Sequence, residues 1–364
     1  MRVGLVIYGS LEILSGGYLY DRELVKYLES CGDQVEVIAL PWRNYRQHLT
    51  DNFSQRFYQR LAGLDIDILV QDELNHASLF LVNNRWKKKF DTPIISIVHH
   101  LRCSEENHFL WNEFYRIIER GYLKTVDGFV YNSHSTREVV ESMIGEEKKS
   151  VVSYPAGNRL RPSITAQQIH MRTSQDGPLQ VLFLGNVISR KGLHILLEAL
   201  EEIPKEQWFL SIVGSLEMDK DYVNRIMDEV RKKGLTDSIE FFGPLDEGEL
   251  KNIMQASQLM VMPSSYEGFG IAYLEGMGYG LPAIASTAGG APEIITPGKN
   301  GFLVPPDDPG SLHDYLLQLI ADRDLLAEMS QAALERYHCH PTWEDTSKRT
   351  REFLLSMISQ KERS

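Results

Sequence analysis

Residues 1–40 read MRVGLVIYGSLEILSGGYLYDRELVKYLESCGDQVEVIAL, and their order decides the fold class. Val3 to Tyr8 is an apolar run of strand length. Gly16 and Gly17 mark a loop, and Asp21 to Glu29 carries Leu24, Tyr27 and Leu28 at helical spacing. Gln34 to Leu40 is a second strand-like run. Strand, glycine loop, helix and strand make a βαβ unit.

The pattern continues outward from there. Ile66 to Val70, Ile94 to Val98 and Gly128 to Tyr131 are further short apolar runs, separated by helical or loop sequence, which predicts a doubly wound first domain. Residues 162–178 (PSITAQQIHMRTSQDGP) turn polar and read as a linker. Beyond it the pattern restarts: Leu179 to Leu184 as a strand, Leu193 to Leu200 as a helix, then strands at Trp208 to Val213, Ile239 to Phe242, Leu259 to Met262 and Ala283 to Ser286. The expectation is an α/β chain of two Rossmann-like, doubly wound domains, 1–162 and 163–344. A charged amphipathic helix at about 345–364 is expected to pack back on the first. Two such halves would leave a cleft between the carboxyl ends of their sheets, where open α/β sheets bind ligands.

Composition narrows the function. The chain has 364 residues, is 43% hydrophobic, and carries a formal net charge of -12, which argues against a duplex nucleic-acid binder. Cys31, Cys103 and Cys339 are widely spaced and form no Cys-x-x-Cys, against a cysteine zinc site and in keeping with a reducing compartment. The N-terminal apolar run is too short for a signal peptide, and no stretch has the length of a spanning helix. A cytoplasmic protein is expected.

The chemistry concentrates in SSYEGFGIAYLEG, residues 264–276, where Glu267 and Glu275 stand eight positions apart around Gly268, Phe269 and Gly270. Glycines at a helix start let backbone approach a ligand, and the start of a helix favours an anion. Carboxylates on either side could hold hydroxyls, so a diphosphate flanked by two sugars fits. The solvated-acid alternative suits Glu275 poorly, because its neighbours are apolar, aromatic or glycine. A second candidate is GNVISRKG, residues 185–192, in which Arg190 and Lys191 follow a strand and Gly185. An Arg fork and a Lys point charge together can offset a leaving diphosphate. Gly16 and Gly17 could admit a phosphate or simply form a tight turn. His99 and His100 end the strand run IISIV; one could bond a sugar hydroxyl, or both could be satisfied loop residues. Asp65-Ile66-Asp67 reads as strand entry rather than a metal motif, and Asp307-Asp308 as a loop with a helix cap at Ser311. Arg85, Trp86, Lys87, Lys88 and Lys89 could meet an anionic membrane surface, which would place the protein at the inner membrane face; the alternative is a solvated helix end.

These segments, with FFGPLDEGEL, the block from MPSSYEGFGIAYLEGMGYG through GGAPEII, NGFLVPPDD, the SGG loop and NSHSTRE at 132–138, resemble the family 4 retaining glycosyltransferases of GT-B fold. The resemblance covers nearly the whole chain, and the Glu-x7-Glu block is its most specific part. It implies that Glu267 holds donor-sugar hydroxyls, that Phe269 and Gly270 offer backbone N–H groups, and that Glu275 binds the ribose. It also implies that Arg190 and Lys191 neutralise the diphosphate, with Gly17 beside it, and that His99 meets the donor sugar near its reacting face. Leu245 and Glu249 would fall in the segment that lines the base pocket. The implied mechanism is front-face retention without a metal cofactor, in which a diphosphate oxygen helps deprotonate the acceptor. The donor would be a UDP-sugar first and GDP-mannose next; the acceptor would be a glycan, a lipid-linked sugar or a small molecule. Gly214-Ser215-Leu216 departs from the Gly-x-Gly turn of many members. A sugar phosphorylase, a sugar-nucleotide epimerase and a non-catalytic sugar-nucleotide binder remain alternatives, whereas the incomplete glycine fingerprint disfavours a nicotinamide dehydrogenase.

Overall fold

A computed structural model describes residues 1–13, 15–104 and 109–361. The chain forms two compact units: Met1–Pro155 with Pro341–Ser364, and Ala156–His340.

The first unit is built on strands β1 (Arg2–Tyr8), β2 (Gln34–Leu40), β3 (Ile68–Asp72), β4 (Ile94–Val98), β5 (Gly128–Tyr131) and β6 (Lys149–Val152), ordered β2-β1-β3-β4-β5-β6. Every ladder is parallel. β3, β4 and β5 are buried along their whole length, which is why they read as mainly apolar runs, with Ser96 inside β4 and Gln71 and Asp72 closing β3. Val6, Leu69, Trp86, Ile94, Tyr122 and Phe129 share one core cluster. The C-terminal helix Trp343–Lys361 belongs to this unit. Tyr20 bonds Thr350 at 3.1 Å, Ser153 donates to the Thr346 carbonyl at 2.8 Å, and Arg351 donates to Asp33 at 2.6 Å.

The second unit repeats the plan with β7 (Leu179–Leu184), β8 (Trp208–Val213), β9 (Ile239–Gly243), β10 (Leu259–Met262), β11 (Ala283–Ser286) and β12 (Gly301–Val304), ordered β12-β11-β10-β7-β8-β9 and parallel throughout.

Several expectations need correction. Gly16 and Gly17 do not form a loop; they open the helix Gly16–Ser30, which Ser15 caps by accepting from the Tyr18 N–H. β3 begins at Ile68 rather than Ile66, because Asp67 is occupied as the partner of Arg2, accepting from its backbone at 2.7 Å and its guanidinium at 2.6 Å. Residues 162–178 lie inside the second unit and carry the helix Ala166–Thr173, started by a Thr165/Gln168 capping box. That helix buries Ile169, and its Arg172 caps the carbonyls of Tyr279 and Gly280, both at 3.0 Å. The basic segment does not present a tryptophan: Trp86 is only 1% exposed, packs on Phe90 at 4.4 Å, and donates to the Thr92 carbonyl. Lys87 is paired with Asp127 at 2.7 Å. The segment straddles a helix end, with its aromatic residue on the core side and its remaining cations on the solvent side. Among the described residues, no helix is long and apolar enough to cross a membrane.

Candidate functional site

In the second unit two loops are sewn together at the carboxyl ends of β7 and β10. After β7 the chain passes Gly185 and makes a short turn at Ser189–Lys191, closed by Gly192 at φ 72°. A Cβ on Gly192 would stand 2.2 Å from the Pro263 carbonyl oxygen, so the close approach requires glycine. The Ser265 N–H donates to the Arg190 carbonyl at 2.9 Å, and the Arg190 guanidinium donates to the Tyr266 carbonyl at 2.6 Å. From the other side, Glu267 forms a bridge with Gly289, and the Gly290 N–H donates to the Glu267 carbonyl at 2.8 Å.

This places Glu267, 7% exposed, among cations. Its carboxylate accepts from Lys191 Nζ and from Ser264 Oγ at 2.7 Å, with the Arg190 guanidinium 3.7 Å away. Burial alone would raise its pKa, but the charges of Lys191 and Arg190 and the hydrogen bonds from Lys191 and Ser264 outweigh it and hold the carboxyl at about 2. For Lys191 burial prevails over Glu267 and sets its ammonium below the ordinary lysine range. Gly185 lies against the Lys191 side chain, where a Cβ would come within 3.5 Å of Cε.

Phe269 is buried, and Gly270, at φ 99°, starts the seven-residue helix Ile271–Met277. Glu275 is also 7% exposed, but its environment differs. It accepts from Arg159 Nε at 3.0 Å, and the same guanidinium reaches Glu247 at 3.0 Å. Burial raises the Glu275 pKa, and Arg159 offsets this only in part. Sequence reasoning missed Arg159 and Glu247; an arginine among glycine, asparagine and proline in AGNRLRP was the available signal. Leu245 is half-buried, and Glu249 is exposed, its carboxylate accepting from the Asp246 N–H in the capping box of the helix Glu247–Ala256.

In the first unit His99 follows β4, and its carbonyl accepts from Asn132 Nδ2 at 2.7 Å. Gly17 lies against the ring, where a Cβ would sit 3.1 Å from His99 Cδ2. Asp21 and Asp72 approach His99 with ligand atoms within 4.8 Å of one another. Asp21 takes the imidazole and Asp72 accepts the Leu74 N–H at 2.9 Å, so the cluster reads as a hydrogen-bonded charge group. A second buried group, Glu73, His76 and Glu119, is tied into the fold: Glu119 accepts the backbone N–H groups of Arg102 and Cys103, at 2.6 Å and 3.0 Å. Substituting Gly17→Ala is expected to displace the His99 ring by a few tenths of an ångström, measured as a shift of its ring C2–H resonance by NMR.

Residues 19–156 match the family model described as glycosyltransferase family 4, and residues 167–336 match that for glycosyl transferases group 1. D-inositol 3-phosphate glycosyltransferase of Corynebacterium urealyticum is 26% identical over 82% of this chain and 74% of its own. Among solved structures, sucrose-phosphate synthase of Thermosynechococcus elongatus superposes with a TM-score of 0.85 at 21% identity over 99% of both chains. HepE of Anabaena, solved with UDP and glucose, superposes with a TM-score of 0.76 at 19% identity over 98% of this chain and all of its own.

Proposed function

The chain belongs to the family 4 glycosyltransferases and has their GT-B fold, and from that premise we propose that it moves a hexosyl group from a nucleoside-diphosphate sugar to a hydroxyl acceptor with retention of configuration. The observation that carries the reading is the convergence of Glu267, Lys191 and Arg190 on one buried point of the second unit. Arg190 and Lys191 supply the positive charge that a leaving diphosphate needs, and Glu267 is the acceptor for donor-sugar hydroxyls. The Arg159-held Glu275 accepts from the ribose, beside the backbone at Phe269 and Gly270; Leu245 and Glu249 flank the base. In the first unit His99, with Gly17 against its ring, is the candidate to bind a sugar or phosphate group.

No side chain is assigned as a covalent nucleophile. In the proposed route the diphosphate departs from the face on which the acceptor enters, and one of its oxygens takes the acceptor proton. The new glycosidic bond forms as the old one breaks, so electrons and protons balance without a metal. The protein's part is to position donor and acceptor and to stabilise the leaving group.

A UDP-sugar is the favoured donor and GDP-mannose the next. HepE, which shares the fold, was solved holding UDP-glucose, and this supports the uridine choice. A thermal-shift panel of UDP-, GDP- and ADP-sugars tests it: a stabilising ligand at about one hundred times its Kd adds about 2.7 kcal/mol. The expected result is a rise with one base family, followed by release of that nucleoside diphosphate when acceptors are supplied. No shift with any sugar nucleotide would overturn the proposal.

A further inference from the structure

The least accessible charged group near the proposed chemistry is Asp21, on the helix Gly16–Ser30. It is fully buried, one of its oxygens lies 3.3 Å from His99 Nε2, and its other oxygen has no hydrogen-bond partner among the described residues. A buried carboxylate is expensive unless something answers it. The contact pairs the first of these oxygens with the Nε2 edge of the His99 ring as its hydrogen-bonding partner. The ring is fenced on its other sides: Tyr20 meets it edge-on at 5.1 Å, Gly17 leaves room for it, and Asn132 fixes its backbone.

We propose that Asp21 is a positioning residue for the transfer reaction: it holds the Nε2 edge of His99 inward and so assigns Nδ1 as the nitrogen available to the substrate. The inference rests on the proposed glycosyltransferase reading for the role of His99, but the Asp21–His99 contact is independent of it. Asp21 acts only through the ring. The same helix that begins at the Gly16–Gly17 pair therefore sets the orientation of a residue at the end of β4. The acidic groups facing His99 are Asp21 on that helix, Asp72 at the end of β3, and Glu73 directly after it. Burial opposes an imidazolium there, yet the Asp21 hydrogen bond and the three charges prevail and raise the His99 pKa above its ordinary value.

The test combines a double-mutant cycle with histidine NMR. Asp21→Asn, His99→Gln and the double variant are assayed for kcat and acceptor KM with the sugar nucleotide found by the panel. Asp21→Asn is expected to lower kcat about tenfold in the native background and to add almost nothing in the His99→Gln background. Equal losses in both backgrounds would overturn the proposal, because a purely structural aspartate costs the same in each. In parallel the ring C2–H resonance of His99, assigned by its loss in His99→Gln, is titrated. In the unsubstituted protein its midpoint is expected above 6.5, and in Asp21→Asn it is expected to fall. A midpoint below 6.5 in the unsubstituted protein would overturn the proposal even where Asp21→Asn fails to fold. A protein that turns over no sugar nucleotide, but whose His99 midpoint still follows Asp21, would sink the proposed function and uphold the contact.

Discussion

Glu267→Gln is expected to lower kcat/KM by about two to three orders of magnitude, the scale seen when one preorganised electrostatic element is removed from an active site. The substitution preserves volume and a hydrogen-bonding group, so Ser264 keeps a partner. What it removes is charge. Lys191 would then be left in a buried position with Arg190 beside it and no carboxylate facing it. Its ammonium already lies below the ordinary lysine range, and loss of Glu267 drives it further down, toward the neutral amine. The diphosphate would lose one of its two cations, and the sugar hydroxyls would keep only a neutral acceptor in place of a charged one. Breaking such a buried pair also costs about 3–5 kcal/mol of stability. The double variant Glu267→Gln/Lys191→Met separates the two effects: it should recover most of the melting temperature and none of the turnover. Initial rates and calorimetric unfolding read both. Unchanged turnover in Glu267→Gln would remove Glu267 from the proposed site.

The sequence made some of this visible and hid the rest for identifiable reasons. Buried parallel strands have apolar neighbours on both faces, so β1, β4, β7 and β10 show as mainly apolar runs, broken within only by Ser96 in β4 and Gln180 in β7. β6 and β12 are four residues long and went unseen, β6 because two of its four residues are polar. The 162–178 segment misled because capping residues and loop residues are chemically alike: Thr165 and Gln168 look like linker until their hydrogen bonds are drawn. Trp86 misled because a charge run conceals which side of a helix faces the core.

Glu267, Arg190 and Lys191 were legible because each stands in a dense local motif. The clamp that orients Glu267, Gly289 and Gly290, was visible only as a pair of glycines. Its meaning is geometric: a Cβ on Gly289 would lie 1.9 Å from the Glu267 carbonyl oxygen. Asp21 was not legible at all, and Arg159 showed only as an arginine in a loop-like stretch. Their partners lie 78 and 116 residues away, and no periodicity reports a contact at that range.

Arg159→Met is accordingly the variant that sequence reasoning would not have chosen, and its expected cost is about 3 kcal/mol, from a buried Glu275 left without its cation. It also carries a pH signature that distinguishes the two glutamates of the motif. Glu267 has a folded pKa of about 2 against an ordinary 4.5, so its contribution to stability is present above 4.5 and lost as pH falls from there toward 2. Glu275 is shifted the other way. Its pKa is raised above 4.5, so its contribution is present below 4.5 and lost as pH rises through the folded value. Removing Arg159 raises Glu275 further, because burial is then opposed by nothing and Glu247 still repels it. The melting temperature of Arg159→Met should therefore rise more steeply than that of the unsubstituted protein between pH 7 and about pH 5, and Glu275→Gln in the same background should flatten the difference. Nucleotide affinity should fall with the loss of an ionised, oriented Glu275, by about ten- to a hundredfold for one charged hydrogen bond. A variant that loses stability with no change in its pH slope would mean that Arg159 serves Glu247 and the chain turn around it rather than Glu275.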